Sequence, residues 1–218
     1  MIHDSSALAS RVSSAAEAIR VHRLIVVLRR VAPRDALLGL VAELADAGMR
    51  VFEVTMDGDG AAADLMACRA ALPLDGPDPC VVGAGTVRTL DQLHAARDAG
   101  ASFAVSPVLD LAILDSAVAA GFPLVPGAYT PTEADRAWRA GATFVKLFPG
   151  SSLGPAHIRE LQGPLPEIET IVTGGIDATN AAAFLDAGAV AVGVGSAIAR
   201  ATPEERRRLV AAVAAVAR

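Results

Sequence analysis

The stretch Ala140-Gly141-Ala142-Thr143-Phe144-Val145-Lys146-Leu147-Phe148-Pro149 decides the fold. An alanine-bearing amphipathic segment ends at Ala140-Gly141, and an apolar run starts almost at once. Glycine just past the last helical turn supplies the left-handed residue that closes a helix. A short, nearly continuous apolar run then reads as a strand buried on both faces. The same device recurs outward along the chain. Ala47-Gly48 precedes Val51–Val54, Ala99-Gly100 precedes Phe103–Val105, Ala120-Gly121 precedes Pro123–Val125, and Ala187-Gly188 precedes Val190–Val194. With Thr143–Leu147 and three further runs, Leu24–Leu28, Cys80–Val82 and Ile168–Val172, the strands number eight.

Helix-length segments lie between them and open with residues suited to capping: Asp35 after Pro33, Thr89, Asp110, Thr130 or Thr132 around Pro131, Asp177, and Thr202 before Pro203. Strict alternation of strand and helix means a parallel sheet, hence the α/β class. Eight such units in a chain of 218 residues point to one closed (β/α)8 TIM barrel spanning 1–218. A short N-terminal helix over residues 1–20 precedes it, and the helix after the sixth strand is expected to be short. An open doubly wound sheet is the structural competitor. Its dinucleotide fingerprint fails here, because Gly83-Ala84-Gly85 and Gly193-Val194-Gly195 lack the third glycine.

The composition is 53% hydrophobic and 20% charged, enough to fill a large core. Acidic residues (24) outnumber Lys+Arg (19), giving a net charge of −5, so the basic footprint of a nucleic-acid binder is missing. No apolar run reaches the roughly 18 residues that span a bilayer. Residues 1–20 carry no signal-peptide core. Cys68 and Cys80 form no C-x-x-C pair and read as reduced thiols. These features lead us to expect a cytoplasmic protein with no membrane partner. The four histidines have no metal-ligand spacing, and the acidic run Asp57-Gly58-Asp59 reads as a solvated loop.

Barrel chemistry gathers at the C-terminal ends of the strands. Standing there are Arg29, Glu53 with Thr55, Gly85-Thr86, Ser106-Pro107, Pro126-Gly127, Lys146 with Phe148-Pro149, Thr173-Gly174-Gly175 and Gly195-Ser196. Lys146 is the only lysine of the chain. Arginine cannot replace a nucleophilic amine, because its guanidinium stays protonated. An apolar strand around Lys146 lowers its pKa toward the free amine that attacks a ketone. Glu53 shares a strand face with Val51 and Thr55, and a carboxylate there needs a partner. Pairing with Lys146 across the barrel would provide one and make Glu53 a general acid/base. The alternatives are an anion-binding Lys146 and a purely structural ion pair. The glycine-rich ends of strands seven and eight are suited to a phosphate, or are simple turns.

Several motifs occur in order: Phe52-Glu53-Val54-Thr55, Gly83-Ala84-Gly85-Thr86-Val87, Ser106-Pro107, Pro126-Gly127 with Thr130-Pro131-Thr132-Glu133, Lys146-Leu147-Phe148-Pro149, Gly154-Pro155, Thr173-Gly174-Gly175-Ile176 and Gly193-Val194-Gly195-Ser196. Together they resemble the 2-keto-3-deoxy-6-phosphogluconate (KDPG) and 4-hydroxy-2-oxoglutarate (KHG) aldolase family, over roughly residues 20–215. The resemblance implies a homotrimeric barrel with no metal or organic cofactor. It also implies a Schiff base between Lys146 and pyruvate, with Glu53 moving protons. Arg29, Thr86, Pro107 and Phe148 would line the site of the 2-keto acid. Thr173, Gly174, Gly175, Gly195 and Ser196 would hold a substrate phosphate. One position departs: some members have arginine where Asp57 stands here, and an acidic group there repels a second anion. Two rival activities share the same scaffold: a sugar-phosphate isomerase or epimerase without a covalent intermediate, and a non-catalytic ligand-binding barrel. Oxaloacetate decarboxylation is a side activity that the same iminium chemistry allows.

Overall fold

The computed structural model describes residues 15–216. Its strands are β1 (Leu24–Leu28), β2 (Val51–Thr55), β3 (Val81–Gly85), β4 (Ala104–Val105), β5 in two pieces (Leu124–Val125 and Gly127–Ala128), β6 (Val145–Leu147), β7 (Thr170–Thr173) and β8 (Ala191–Val194). Between them run α1 (Arg34–Asp46), α2 (Ala61–Ala71), α3 (Leu90–Asp98), α4 (Leu111–Ala119), α5 (Pro131–Arg139), α6 (Gly150–Gln162) and α7 (Ala181–Asp186). Two helices follow the last strand, α8 (Ser196–Arg200) and α9 (Pro203–Ala214). Every strand pairing is parallel, and β8 returns to β1. Pro126 interrupts β5, whose first piece pairs with β4 and whose second pairs with β6. The bonds Thr143 N–H to Leu124 O (3.1 Å) and Lys146 N–H to Pro126 O (2.9 Å) complete the ring. The expected (β/α)8 barrel is therefore the observed one.

All five Ala-Gly glycines take positive φ, from 57° at Gly121 to 107° at Gly188, so the punctuation read from the sequence is real helix termination. Thr89 and Asp110 accept backbone bonds as caps, and Thr130 and Thr202 form capping boxes with Glu133 and Glu205. Two expected caps differ. Pro33 occupies the cap position of α1, leaving Asp35 in its first turn. Asn180 occupies the cap position of α7 without a side-chain cap bond, its Oδ1 accepting Asp177 N–H (3.0 Å), while the Asp177 carboxylate accepts Thr179 N–H (2.8 Å) and Oγ–H (2.6 Å) in a local turn. The helix after the sixth strand is not short. α6 has 13 residues, broken at Gly154 (φ 71°), after which Pro155 starts a second run. A Gly-Pro break thus restarts the helix instead of ending it.

Two apolar layers result. Alternate strand residues Ile25, Val51, Val81, Phe103, Val105, Val125, Phe144, Ile171 and Ala191 fill the lower barrel interior. The opposite parity packs outward against the helices, as with Val26, Phe52, Val54, Val82, Leu147 and Val192. Residues 15–22 are helical, and Ala15, Ala16 and Ile19 join the interior cluster, plugging the barrel floor. Arg20 ties that plug down with a bidentate pair to Glu169 (2.8 and 2.6 Å) and lies 5.0 Å from the Phe144 ring centre. Residues 1–14 of the expected N-terminal helix lie outside the described residues. Cys68 and Cys80 are free and buried, and burial and Asp64 push the Cys68 thiol up to about 11. Among the described residues, no helix is long and apolar enough to cross a membrane.

Candidate active site

The parity that fills the barrel floor continues upward into polar residues. On β2 the inward series is Val51-Glu53-Thr55, and on β6 it is Phe144-Lys146-Phe148. On β3 it is Val81-Gly83-Gly85. The two glycines leave room for their neighbours: a Cβ on Gly83 would meet the Phe103 ring at 2.5 Å, and one on Gly85 would overlap the Glu53 carboxylate. Small residues that resemble a turn in sequence therefore extend β3 to Gly85, because only they let larger side chains cross the interior.

Glu53 and Lys146 are 1% and 5% exposed. Burial pushes the Glu53 carboxyl above the ordinary carboxylate range, against the opposing pull of Lys146 and Arg29. Burial likewise pulls the Lys146 amine below the ordinary lysine range; Glu53 opposes this and Arg29 adds to it. The expected direct pair does not form. Among the described residues, neither Glu53 oxygen has a hydrogen-bond partner, and no ion pair joins it to Lys146. The two groups stand on β2 and β6, opposite walls of an eight-stranded ring, and sense each other's charge without contact. Lys146 Nζ instead lies 5.2 Å from the centre of the Phe148 ring, two residues on along the same face.

Arg29 and Thr86 join this group at the rim. Thr86 has φ 55°, unusual outside glycine, and its hydroxyl accepts a bond from Arg29 Nη2 (3.3 Å). Arg29 Nη1 lies 3.3 Å from Asp57 Oδ2, and Arg30 Nε is equally close to the same oxygen. Asp57 is thus no solvated loop residue. Burial would raise its pKa, but the Thr55 hydroxyl, Arg29 and Arg30 outweigh that and hold it below the usual carboxylate range. Pro107 follows β4 and packs against the second piece of β5, where a Cβ on Gly127 would overlap its carbonyl.

The glycine turn after β7 forms a second part of the rim. Gly174 (φ 88°) and Gly175 (φ 76°) are consecutive left-handed residues. Gly174 O accepts Ser151 N–H (2.9 Å), and a Cβ on Gly174 would lie 2.9 Å from the Phe148 ring. The turn is therefore packed on the start of α6, which ties it to the strand carrying Lys146. Ser151 was not visible as a member of this turn, since nothing in its sequence neighbourhood reports a contact with β7. Thr173 stands below the rim, buried against Gly193, and among the described residues its hydroxyl has no hydrogen-bond partner. Gly195 precedes α8, where a Cβ would meet nothing nearer than Val27 at 3.7 Å. The side chain of Ser196 lies outside the described residues.

The structure therefore brings Lys146, Glu53, Arg29, Thr86 and Phe148 together, with the Gly174-Gly175 turn beside Phe148. Such an arrangement can present to one small anion an amine whose pKa burial lowers, a carboxyl whose pKa burial raises, and a cation.

Residues 15–212 match the KDPG and KHG aldolase family. The chain is 33% identical over 196 residues to a probable 2-dehydro-3-deoxy-6-phosphogalactonate aldolase of Rhizobium meliloti (strain 1021), covering 88% of this chain and 90% of that protein. It is 34% identical over 179 residues to the 2-dehydro-3-deoxy-6-phosphogalactonate aldolase of Escherichia coli (strain K12), covering 82% and 85%. A KDPG aldolase from Legionella pneumophila, solved with pyruvate captured at low pH as a covalent carbinolamine intermediate, superposes with a TM-score of 0.76 at 25% identity, covering 94% of this chain and 98% of that one.

Proposed function

The chain belongs to the KDPG and KHG aldolase family, and from that premise we propose that Lys146 is the Schiff-base nucleophile of a class I aldolase. The substrate is a 2-keto-3-deoxy-6-phospho sugar acid or 4-hydroxy-2-oxoglutarate, and the products are pyruvate and an aldehyde, D-glyceraldehyde 3-phosphate or glyoxylate. The observation that carries the assignment is the burial of Lys146 on the inner barrel face, with no ion pair among the described residues to keep it charged. An unprotonated amine at that point can attack a ketone.

The residues divide the work as follows. The Lys146 amine adds to C2 of the keto acid. Glu53, whose burial favours its protonated form, delivers the proton that lets water leave as the carbinolamine becomes the iminium. The iminium accepts the electron pair of the C3–C4 bond as that bond breaks. The C4 hydroxyl proton passes to Glu53, directly or through a water, and the aldehyde departs. The enamine is then protonated at C3, and water releases pyruvate from Lys146. Arg29, steadied by Thr86, meets the keto-acid carboxylate. Phe148, whose ring lies beside Lys146, packs against the bound pyruvate, and Pro107 lines the same pocket.

The phosphate lies on the Gly174-Gly175 turn, with Thr173 below it and Gly195-Ser196 beside it. Two glycines in succession leave the backbone of this turn bare of side chains, so an anion can approach its N–H groups closely. One barrel domain carries the whole reaction without metal or organic cofactor, in a cytoplasmic homotrimer. This last reading follows the family and is checked by light scattering.

Incubation with pyruvate and sodium borohydride, followed by peptide mapping, tests the chemistry. A reduced pyruvate adduct on Lys146 is expected, and Lys146→Arg should lose both adduct and turnover while remaining folded. Retained turnover in Lys146→Arg refutes the assignment. An absent adduct in the folded wild type favours an isomerase without a covalent intermediate.

A further inference from the structure

Arg29 is a long, half-exposed side chain, with 52% of its side-chain surface accessible, yet two contacts fix its guanidinium. Nη2 donates to the Thr86 hydroxyl at 3.3 Å, and Nη1 faces Asp57 Oδ2 at 3.3 Å. Asp57 is itself held. Arg30 Nε approaches the same Oδ2 at 3.3 Å, and Arg30 Nη2 donates to the Asp57 backbone carbonyl at 2.9 Å. Arg30 also takes a left-handed backbone, φ 49°, unusual for a residue with a Cβ. That turn brings two consecutive arginines, Arg29 and Arg30, onto one carboxylate that is only 18% exposed.

We propose that Asp57 is a positioning residue, which with Arg30 holds the Arg29 guanidinium in the orientation that receives the substrate carboxylate. The proposal rests on the reading of Arg29 and Lys146 given above and adds the device that prepares Arg29 for its ligand. A guanidinium has five N–H donors. Asp57 and Thr86 engage two, so three remain for an incoming carboxylate. A free arginine at this rim would lose rotamer freedom on binding, and the clamp removes that loss beforehand. Asp57 is anchored by Arg30 through two separate atoms, so it acts as a fixed post and not as a mobile competitor for Arg29.

The test measures the pyruvate concentration that half-saturates borohydride trapping on Lys146, together with the limiting trapping rate, in the wild type, Asp57→Asn and Arg30→Ala. Asp57→Asn should raise half-saturating pyruvate about tenfold and leave the limiting rate within about threefold. Arg30→Ala should give the same pattern with a smaller rise, about threefold. A half-saturation that is unchanged or lower in Asp57→Asn overturns the proposal. So does a limiting rate that falls as much as the half-saturation rises, which is the mark of general damage to the site. If Asp57→Asn does not fold, Arg30→Ala decides alone on the same two readings. No adduct in the wild type refutes the Schiff-base reading itself, and that failure is seen before any variant is compared.

Discussion

Gly85→Ala tests whether the Glu53 carboxylate works where the structure puts it. Gly85 stands opposite Thr55 in the β2–β3 register. A Cβ there would lie 2.6 Å from both Cδ and Cγ of Glu53. Carbon atoms in ordinary contact are about 3.5–4.0 Å apart, so the Glu53 carboxyl must retreat by roughly 1 Å. Gly85 does not have the left-handed backbone that alanine resists, so the added methyl is the whole perturbation. Displacing a catalytic group by about 1 Å costs on the order of 100-fold in rate, which corresponds to about 2.7 kcal/mol of barrier. Overpacking adds about 1–3 kcal/mol of lost stability. The control is Gly83→Ala, two residues earlier on the same face, whose Cβ would meet the Phe103 ring at 2.5 Å. It should lose comparable stability but less than about tenfold in kcat, because its clash falls on the core and not on the Glu53 carboxyl. Pyruvate release under saturating substrate gives kcat, and thermal unfolding gives stability. Wild-type kcat in Gly85→Ala, or equal kcat losses in the two variants at equal stability, would refute the reasoning.

Two further outcomes follow from the same geometry. Glu53 has a raised pKa in the folded state, so the native protein keeps this proton to higher pH than the unfolded chain. Stability therefore falls as pH climbs from the ordinary carboxylate value, about 4.3, through the raised folded value, and the full penalty applies above it. Glu53→Gln removes that penalty, so its Tm advantage over the wild type should be near zero below about pH 4 and grow as pH rises through the raised folded value, while kcat falls about 10²- to 10⁴-fold; a Tm difference that is flat with pH contradicts the assigned burial effect. Thr130→Ala deletes the capping box of α5, in which Glu133 accepts the Thr130 N–H (2.8 Å) and Thr130 Oγ accepts the Glu133 N–H (3.3 Å). Denaturant unfolding should show a loss of about 1 kcal/mol, and a loss under about 0.3 kcal/mol would mean that water replaces the cap without cost.

Much of the barrel is legible because its two repeating signals are local. The Ala-Gly ends and the buried apolar runs each lie within a few residues, and the physics that enforces them, left-handed closure and two-sided burial, needs no distant partner. Strand edges are less legible. β3 runs on through Gly83-Ala84-Gly85 only because Phe103 and Glu53, from the neighbouring strands, occupy the space above those glycines. α6 continues past Gly154 because Pro155 can begin a helical run as readily as it ends one. The Asp57 clamp depends on a left-handed Arg30, a conformation that no residue type at that position announces.

The relation between Glu53 and Lys146 shows where parity stops being informative and why. Alternation along Val51-Glu53-Thr55 and Phe144-Lys146-Phe148 correctly turns both groups inward. It says nothing of reach, and a buried carboxylate and a buried amine facing one axis invite the expectation of an ion pair. The register answers otherwise. Glu53 is flanked by Val27 and Gly83, and Lys146 by Gly127 and Ile171, so the two rise from opposite walls. A contact pair would stabilise the ammonium and carboxylate forms in each other's field. That would hold Lys146 as the ammonium, the form that cannot attack a ketone. Separation leaves burial as the dominant influence on each group, which favours the neutral amine and the protonated acid together. Imine formation by the proposed route draws on a free amine and a proton donor, and the separation of Lys146 from Glu53 shifts both groups in the direction that route uses.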